Sequence, residues 1–285
     1  MRILAVGLPL VLALALGCSG QGNGTVFPPA EPAPSIGATD TGPASVYVLA
    51  GQSNAEGIGN VADLLPGQSA PPTGDWIYLA PGDDGQAAWL GIWTPLVAGD
   101  GGDSAQVGPE LGFARSMPGP VRVIKYAVGG TSMDTFWRSP GAGGAFPGYV
   151  GLLQAVQTGL ASAQTPAGAH IAGLLWLQGE GDTCNAEAAA NYATRLAAFV
   201  TDFRAAVGEP ALPVVVAQIH ALPAWPYAGA VQSAEAGLPG VLPNVGTFAT
   251  QDLPTFSGTN PHFDGPAQYT IGQRFGAAIQ ALVPD

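Results

Sequence analysis

The residues here whose types could do chemistry are a serine where a strand gives way to a turn, and three histidines that could serve it. Ser53 lies in SVYVLAGQSNAEG, residues 45–57. Residues 46–50 form a nearly continuous apolar run, the pattern of a strand buried on both faces in a parallel sheet, and the chain must turn at Gly51. Open α/β sheets bind ligands outside the carboxyl ends of their strands, so Gln52, Ser53 and Asn54 stand where chemistry is done. A serine hydroxyl becomes a nucleophile when a neutral imidazole can take its proton and N–H donors face the oxyanion that forms. The same residues, Ser53 to Glu56, also fit the S-x-x-E box that caps many helices, which would make Ser53 structural. This stretch alone leaves both readings open.

Further along, the strand candidate at 121–128 (VRVIKYAV) meets Gly129, Gly130, Thr131 and Ser132, and that at 171–177 ends in Gln178, Gly179, Glu180, Gly181 and Asp182. Strand candidates at 212–219 and 245–249 bring the count to five. Helical spacing appears at 107–117, at 146–164 and over 185–207, and Pro266 opens a last helix where proline is tolerated. Strands alternating with helices of this length predict an α/β fold, a three-layer doubly wound sandwich around a central, mostly parallel five-stranded sheet of flavodoxin-like form. Residues 58–106 read as a long irregular connection, with Trp76, Trp89 and Trp93 either covering the sheet edge or forming a substrate wall.

Composition narrows the partners. Eight Lys and Arg against twenty Asp and Glu give a formal charge of −12, without the basic stripe that phosphate contacts need, so a nucleic-acid partner is excluded. Polyanionic substrates are disfavoured for the same reason, whereas a small neutral ester or sugar is not. The 42 Gly and 27 Pro predict long loops. No metal is expected, because the three histidines show no ligand spacing with each other or with cysteine.

The chain begins with Arg2 and an apolar stretch too short to span a bilayer comfortably, which reads as a signal peptide over residues 1–17. Residues 18–44, rich in Gly, Pro and Ala, read as a flexible tether, and 45–285 as the working domain. Ala15-Leu16-Gly17-Cys18 resembles a lipobox, although that motif usually carries its Leu one place earlier. Cys18 is thus a candidate lipidation site, membrane contact is expected only through that anchor, and Cys184 would remain a lone, passive thiol. The implied location is the bacterial cell envelope, or the exterior by plain secretion. The alternative is a Cys18–Cys184 disulfide in an oxidising compartment.

Taken together, GQSN, GPELGFA, AVGGTS and WLQGE, in that order over roughly residues 46–280, resemble the SGNH esterase/lipase superfamily. The nearest branch contains sialate O-acetylesterases and the acetyl xylan esterases of carbohydrate esterase family 6. The resemblance implies Ser53 as nucleophile and an oxyanion hole formed by the Ser53 and Gly130 amides with the Gln178 side chain. It also implies Gln52 and Glu180 at the substrate pocket and His262, in NPHFDG, as general base. Among the histidines, His170 precedes a strand at its amino end, while His220 ends a strand at the active edge and is the rival to His262. The family's aspartate three residues before the histidine is Thr259 here, so Asp264, Asp252 or a backbone carbonyl would have to orient the ring. The expected function is a cofactor-free serine esterase that removes acetyl or other small acyl groups from an acetylated carbohydrate. A catalytically silent carbohydrate-binding lipoprotein is the alternative. A flavodoxin-like nucleotide or flavin binder is a third reading, weakened by the lack of a phosphate-cradling glycine loop.

Overall fold

The computed structural model describes residues 44–80 and 91–283. The leader, Cys18, nearly all of the tether and Trp89 therefore lie outside the described residues. Seven strands build the main sheet: β1 (Ser45–Gly51), β2 (Trp76–Leu79), β3 (Trp93–Pro95), β4 (Arg122–Ala127), β5 (His170–Leu177), β6 (Val214–Ala217) and β7 (Val245–Phe248). Their spatial order is β3-β2-β4-β1-β5-β6-β7. Neighbours run parallel except for the antiparallel β2–β3 pair at one edge.

The sheet corrects the expected count of five, and both extra strands come from the stretch read as irregular. Each is only three or four residues long among Gly, Pro and Asp, too short for periodicity to register. Trp93 is fully buried, and its indole N–H faces Gly159 O at 3.1 Å and Thr165 Oγ1 at 3.0 Å. It covers the sheet edge. Trp76, half-buried, lies 5.8 Å from the Arg122 guanidinium.

Helices cover both faces: α1 (Ser53–Glu56), α2 (Pro109–Ser116), α3 (Pro147–Ala161), α4 (Ala186–Val207), α5 (Ala228–Gly237) and α6 (Gly265–Leu282). Side chains alternate across a strand, so Val46, Val48 and Ala50 of β1 join a core with α3 and α4, while Tyr47 and Leu49 join a second core with α2 and α6. The α4 ends follow from its sequence: the Asn185 side chain accepts from the Glu187 and Ala188 amides, and Gly208 closes the helix in a left-handed conformation. Helices α2 and α6 approach through Gly112 and Gly272. A Cβ on either would come within 2.0 Å of a backbone oxygen of the opposite helix, so any side chain there would force the helices apart. Helix α5 occupies a segment to which the sequence assigns no element, because its Ala- and Gly-rich sequence leaves only Val231 and a few small residues to mark an apolar stripe.

If Trp93 is a core residue, Trp93→Ala should lower stability by about 3–5 kcal/mol. Urea unfolding checks this. A variant of unchanged midpoint that has lost substrate affinity would instead mark Trp93 as a stacking platform.

Candidate active site

Strand β1 is paired on both sides, Gly51 opposite Ala127 of β4 and opposite Leu177 of β5, so three strands end level at one rim. Gly51 has φ +149°, and a Cβ there would lie 1.9 Å from Leu177 O, so only glycine fits where the chain leaves β1. The Gln52 amide donates to Leu177 O at 3.1 Å and the Val128 amide to Gly51 O at 3.0 Å, which stitches the three loop entries together.

Ser53 is the first residue of α1, and the N-cap position belongs to Gln52, with no side-chain cap. The capping-box reading therefore fails. The Ser53 hydroxyl instead lies 2.9 Å from His262 Nε2. As the first residue of the helix, Ser53 also presents a backbone amide that has no acceptor within α1. Gly130, exposed in the turn after β4, completes the rim from the second loop.

His262 arrives on an antiparallel hairpin, β8 (Thr255–Ser257) and β9 (Asn260–Phe263). Burial alone lowers the affinity of its ring for a proton below the ordinary imidazole value, which favours the neutral form that can accept one. His170 opens β5 at the far, amino end and is exposed. His220 is turned to Gln251, 3.3 Å from its Nε2, and packs edge-on to Phe263 with centroids 5.8 Å apart. It stands behind the site rather than on Ser53.

Neither expected acid reaches the His262 ring, which corrects both assignments. Asp252 is exposed and forms a bidentate pair with Arg274, one contact at 2.8 Å, which pulls its carboxyl down to about 2. Asp264 is the N-cap of α6 and accepts from the Ala267 amide at 2.9 Å. Thr259, at the family's aspartate position, is exposed in the hairpin turn 3.3 Å from Ser257 Oγ.

Gln178 also departs from its expected role. Its amide nitrogen has two hydrogens and faces Asp182 Oδ2 at 2.9 Å, Thr131 O at 3.1 Å and Gln52 Oε1 at 3.3 Å. Both are engaged inside the wall, so Gln178 braces the second and third loops instead of facing an oxyanion. Gln52 is likewise committed, accepting from the Gly181 amide at 3.2 Å. Asp182 takes the structural role: its carboxylate accepts from the Met133 and Asp134 amides and anchors the short π-helical turn Met133–Trp137. Glu180 points to Asn54, with Oε1 2.8 Å from the Asn54 Nδ2.

Beneath this rim lies a group of buried carboxyls, Glu180, Asp182 and Glu235. Desolvation, the largest effect on each, raises all three above the ordinary carboxylate range; Asp182 raises Glu180 further, Glu180 and Asp182 raise Glu235, and Asp134 raises Asp182. Cys184, just beyond Asp182, is disulfide-bonded, which corrects the reading of a passive thiol. Among the described residues, no group of three or more His, Cys, Asp and Glu is arranged to hold a metal ion.

A parallel α/β sandwich with a serine and a histidine in contact at the carboxyl rim defines an SGNH-type hydrolase. The chain belongs to the carbohydrate esterase family of sialic acid-specific acetylesterases, whose family model matches residues 43–281. It is 25% identical over 269 residues to a probable carbohydrate esterase of Arabidopsis thaliana, covering 88% of this chain and 95% of the relative. An X-ray structure of an A. thaliana protein superposes with a TM-score of 0.64 at 20% identity, over 84% of this chain and 99% of that one. A carbohydrate acetylesterase from Xanthomonas citri does so at 0.59 and 20% identity, over 84% of this chain but only 56% of its own length. The protein is accordingly a carboxylic ester hydrolase of the acetylesterase type.

The burial of His262 has a direct readout. Its imidazole should titrate below 6.5, the ordinary histidine value, in an NMR titration of the folded protein. A midpoint at or above 6.5 would contradict the desolvated setting described here.

Proposed function

We propose that the protein removes acetyl groups from carbohydrate hydroxyls through an acetyl-enzyme on Ser53, with His262 as general acid and base. The observation that carries this reading is the 2.9 Å contact between Ser53 Oγ and His262 Nε2. With the ring proton on Nδ1, Nε2 accepts from the serine hydroxyl. As Oγ attacks the acetyl carbonyl carbon, its proton passes to Nε2, and the carbonyl oxygen gathers negative charge facing the Ser53 and Gly130 amides. Collapse of the tetrahedral adduct breaks the bond to the sugar oxygen, which takes the proton from Nε2 and leaves as the free hydroxyl. A water deprotonated by the same nitrogen then cleaves the acetyl-serine to acetate. No further co-reactant is needed.

The low count of basic side chains supports a neutral acyl sugar over a polyanionic one. Export is part of the proposal, supported by the leader-like first residues and by a disulfide at Cys184, a bond that persists in oxidising compartments. With two cysteines in the chain, a lipid on Cys18 and an internal disulfide at Cys184 compete for the second sulfur. Intact mass of protein isolated from its native envelope decides between them: a diacylglycerol increment with a free thiol supports the anchor, and an unlipidated mass with no alkylatable thiol supports plain secretion.

Hydrolysis of an aryl acetate tests the chemistry. Ser53→Ala should lose at least about 10³-fold in kcat, and the unaltered protein should be labelled by a fluorophosphonate. The rate should fall on the acid side as His262 gains its proton, with a midpoint below 6.5. Equal rates in both proteins would refute the assignment, and glycan binding with neither turnover nor labelling would identify a silent binder.

A further inference from the structure

A physical question follows, namely what fixes the imidazole when no carboxylate among the described residues holds its far nitrogen. We propose that Asn54 is a positioning residue for His262, gripping the backbone on both sides of it, and that Glu180 anchors Asn54 in turn. The inference rests on the Ser53–His262 reading given above.

Asn54 follows the nucleophile in α1 and is 1% exposed. Its Nδ2 donates to Pro261 O at 3.1 Å and to Glu180 Oε1 at 2.8 Å, while its Oδ1 accepts from the Phe263 amide at 3.3 Å. The residues immediately before and after His262 are thus tied to one side-chain amide. The assignment of oxygen and nitrogen follows from the partners, since a flipped amide would set its oxygen against a carbonyl and a carboxyl. Both Nδ2 hydrogens are used, so the residue is fully engaged as a donor.

The rest of the assembly is stiff at each end. Proline at 261 fixes φ before the histidine, and Phe263, fully buried, fixes the chain after it. The Asn260 side chain adds a hold on the His262 amide at 2.9 Å. On the serine side, the buried Lys125 ammonium donates to Glu56 O at the end of α1, so the turn carrying both Ser53 and Asn54 is pinned from below. Nucleophile and base are therefore referenced to one another through adjacent residues of a single turn. Glu180 contributes an acceptor rather than a charge, because Asn54 needs only the Oε1 lone pair, which persists whether or not the buried carboxyl is protonated.

The test compares Asn54→Ala, Glu180→Ala and Glu180→Gln in the full chain with an aryl acetate, together with fluorophosphonate inactivation, thermal unfolding and pH–rate profiles. Asn54→Ala should lose about 10- to 100-fold in kcat and in inactivation rate, with KM within about two-fold, because the ring is misplaced while the pocket is kept. Its acid limb should move up toward the ordinary imidazole value as water enters beside a loosened hairpin. Glu180→Ala should behave likewise, and Glu180→Gln, which restores the acceptor, should recover most of that loss. A folded Asn54→Ala with unaltered kcat and acid limb overturns the proposal, as does a Glu180→Gln no better than Glu180→Ala. If Asn54→Ala does not fold, the Glu180 pair decides by the same criterion. Ser53→Ala is measured alongside: activity persisting there brings down the esterase mechanism as a whole, whereas an unimpaired Asn54→Ala beside an inactive Ser53→Ala removes only the positioning role.

Discussion

Everything at the catalytic rim depends on the parallel registration of three strands, with Gly51 opposite both Ala127 and Leu177. Parallel pairing delivers consecutive turns to the same side of a sheet. The turn after β1 supplies the hydroxyl, the turn after β4 the Gly130 amide, and the turn after β5 the polar residues that brace the other two. Were one strand to slip by a residue, its buried and inward faces would exchange, so the two hydrophobic cores hold the register that the chemistry needs. The geometry of the rim is thus a by-product of burial on both faces of β1.

Around that rim, charge is managed by hydrogen bonds rather than by opposite charges. Asp182 accepts two backbone amides and a Gln178 amide hydrogen, and Glu180 accepts from Asn54. Burial raises the proton affinity of both carboxyls, while these donors offset part of that rise. A carboxylate fixed by amides is a rigid spacer. It also explains why the polar side chains clustered in WLQGEGD face the wall: a buried group must have a partner, and the neighbouring loops supply the nearest ones.

How much of this was legible in the sequence varied with the physics of each element. Buried parallel strands announce themselves as apolar runs, so β1, β4, β5 and β6 and the turns that follow them could be read directly. The edge strands could not, since three or four residues among glycines carry no period, and α5 lacked the apolar stripe that reveals a helix. Ser53 was legible as a turn residue but ambiguous as a cap, and the cap reading falls because the N-cap position of α1 belongs to Gln52, with no side-chain cap. Gln178 and the two aspartates were misassigned because their partners, Asp182, Arg274 and the first turn of α6, are set by tertiary packing. Asn54 carried no signal of its own beyond a polar residue beside a serine. Its three bonds run to segments remote in sequence, and no local pattern encodes them.

The separation between the two reacting groups has a biosynthetic corollary. Ser53 and His262 are 209 positions apart, and the ring comes on a hairpin that leads into the last helix. A polypeptide emerging from the ribosome, or threading unfolded through a translocation pore, carries its hydroxyl long before any imidazole can reach it. If His262 activates Ser53 as proposed, that activation waits until α6 packs on α2 and seats the hairpin. On the mechanism proposed above, ester cleavage is in this way deferred to the completed fold.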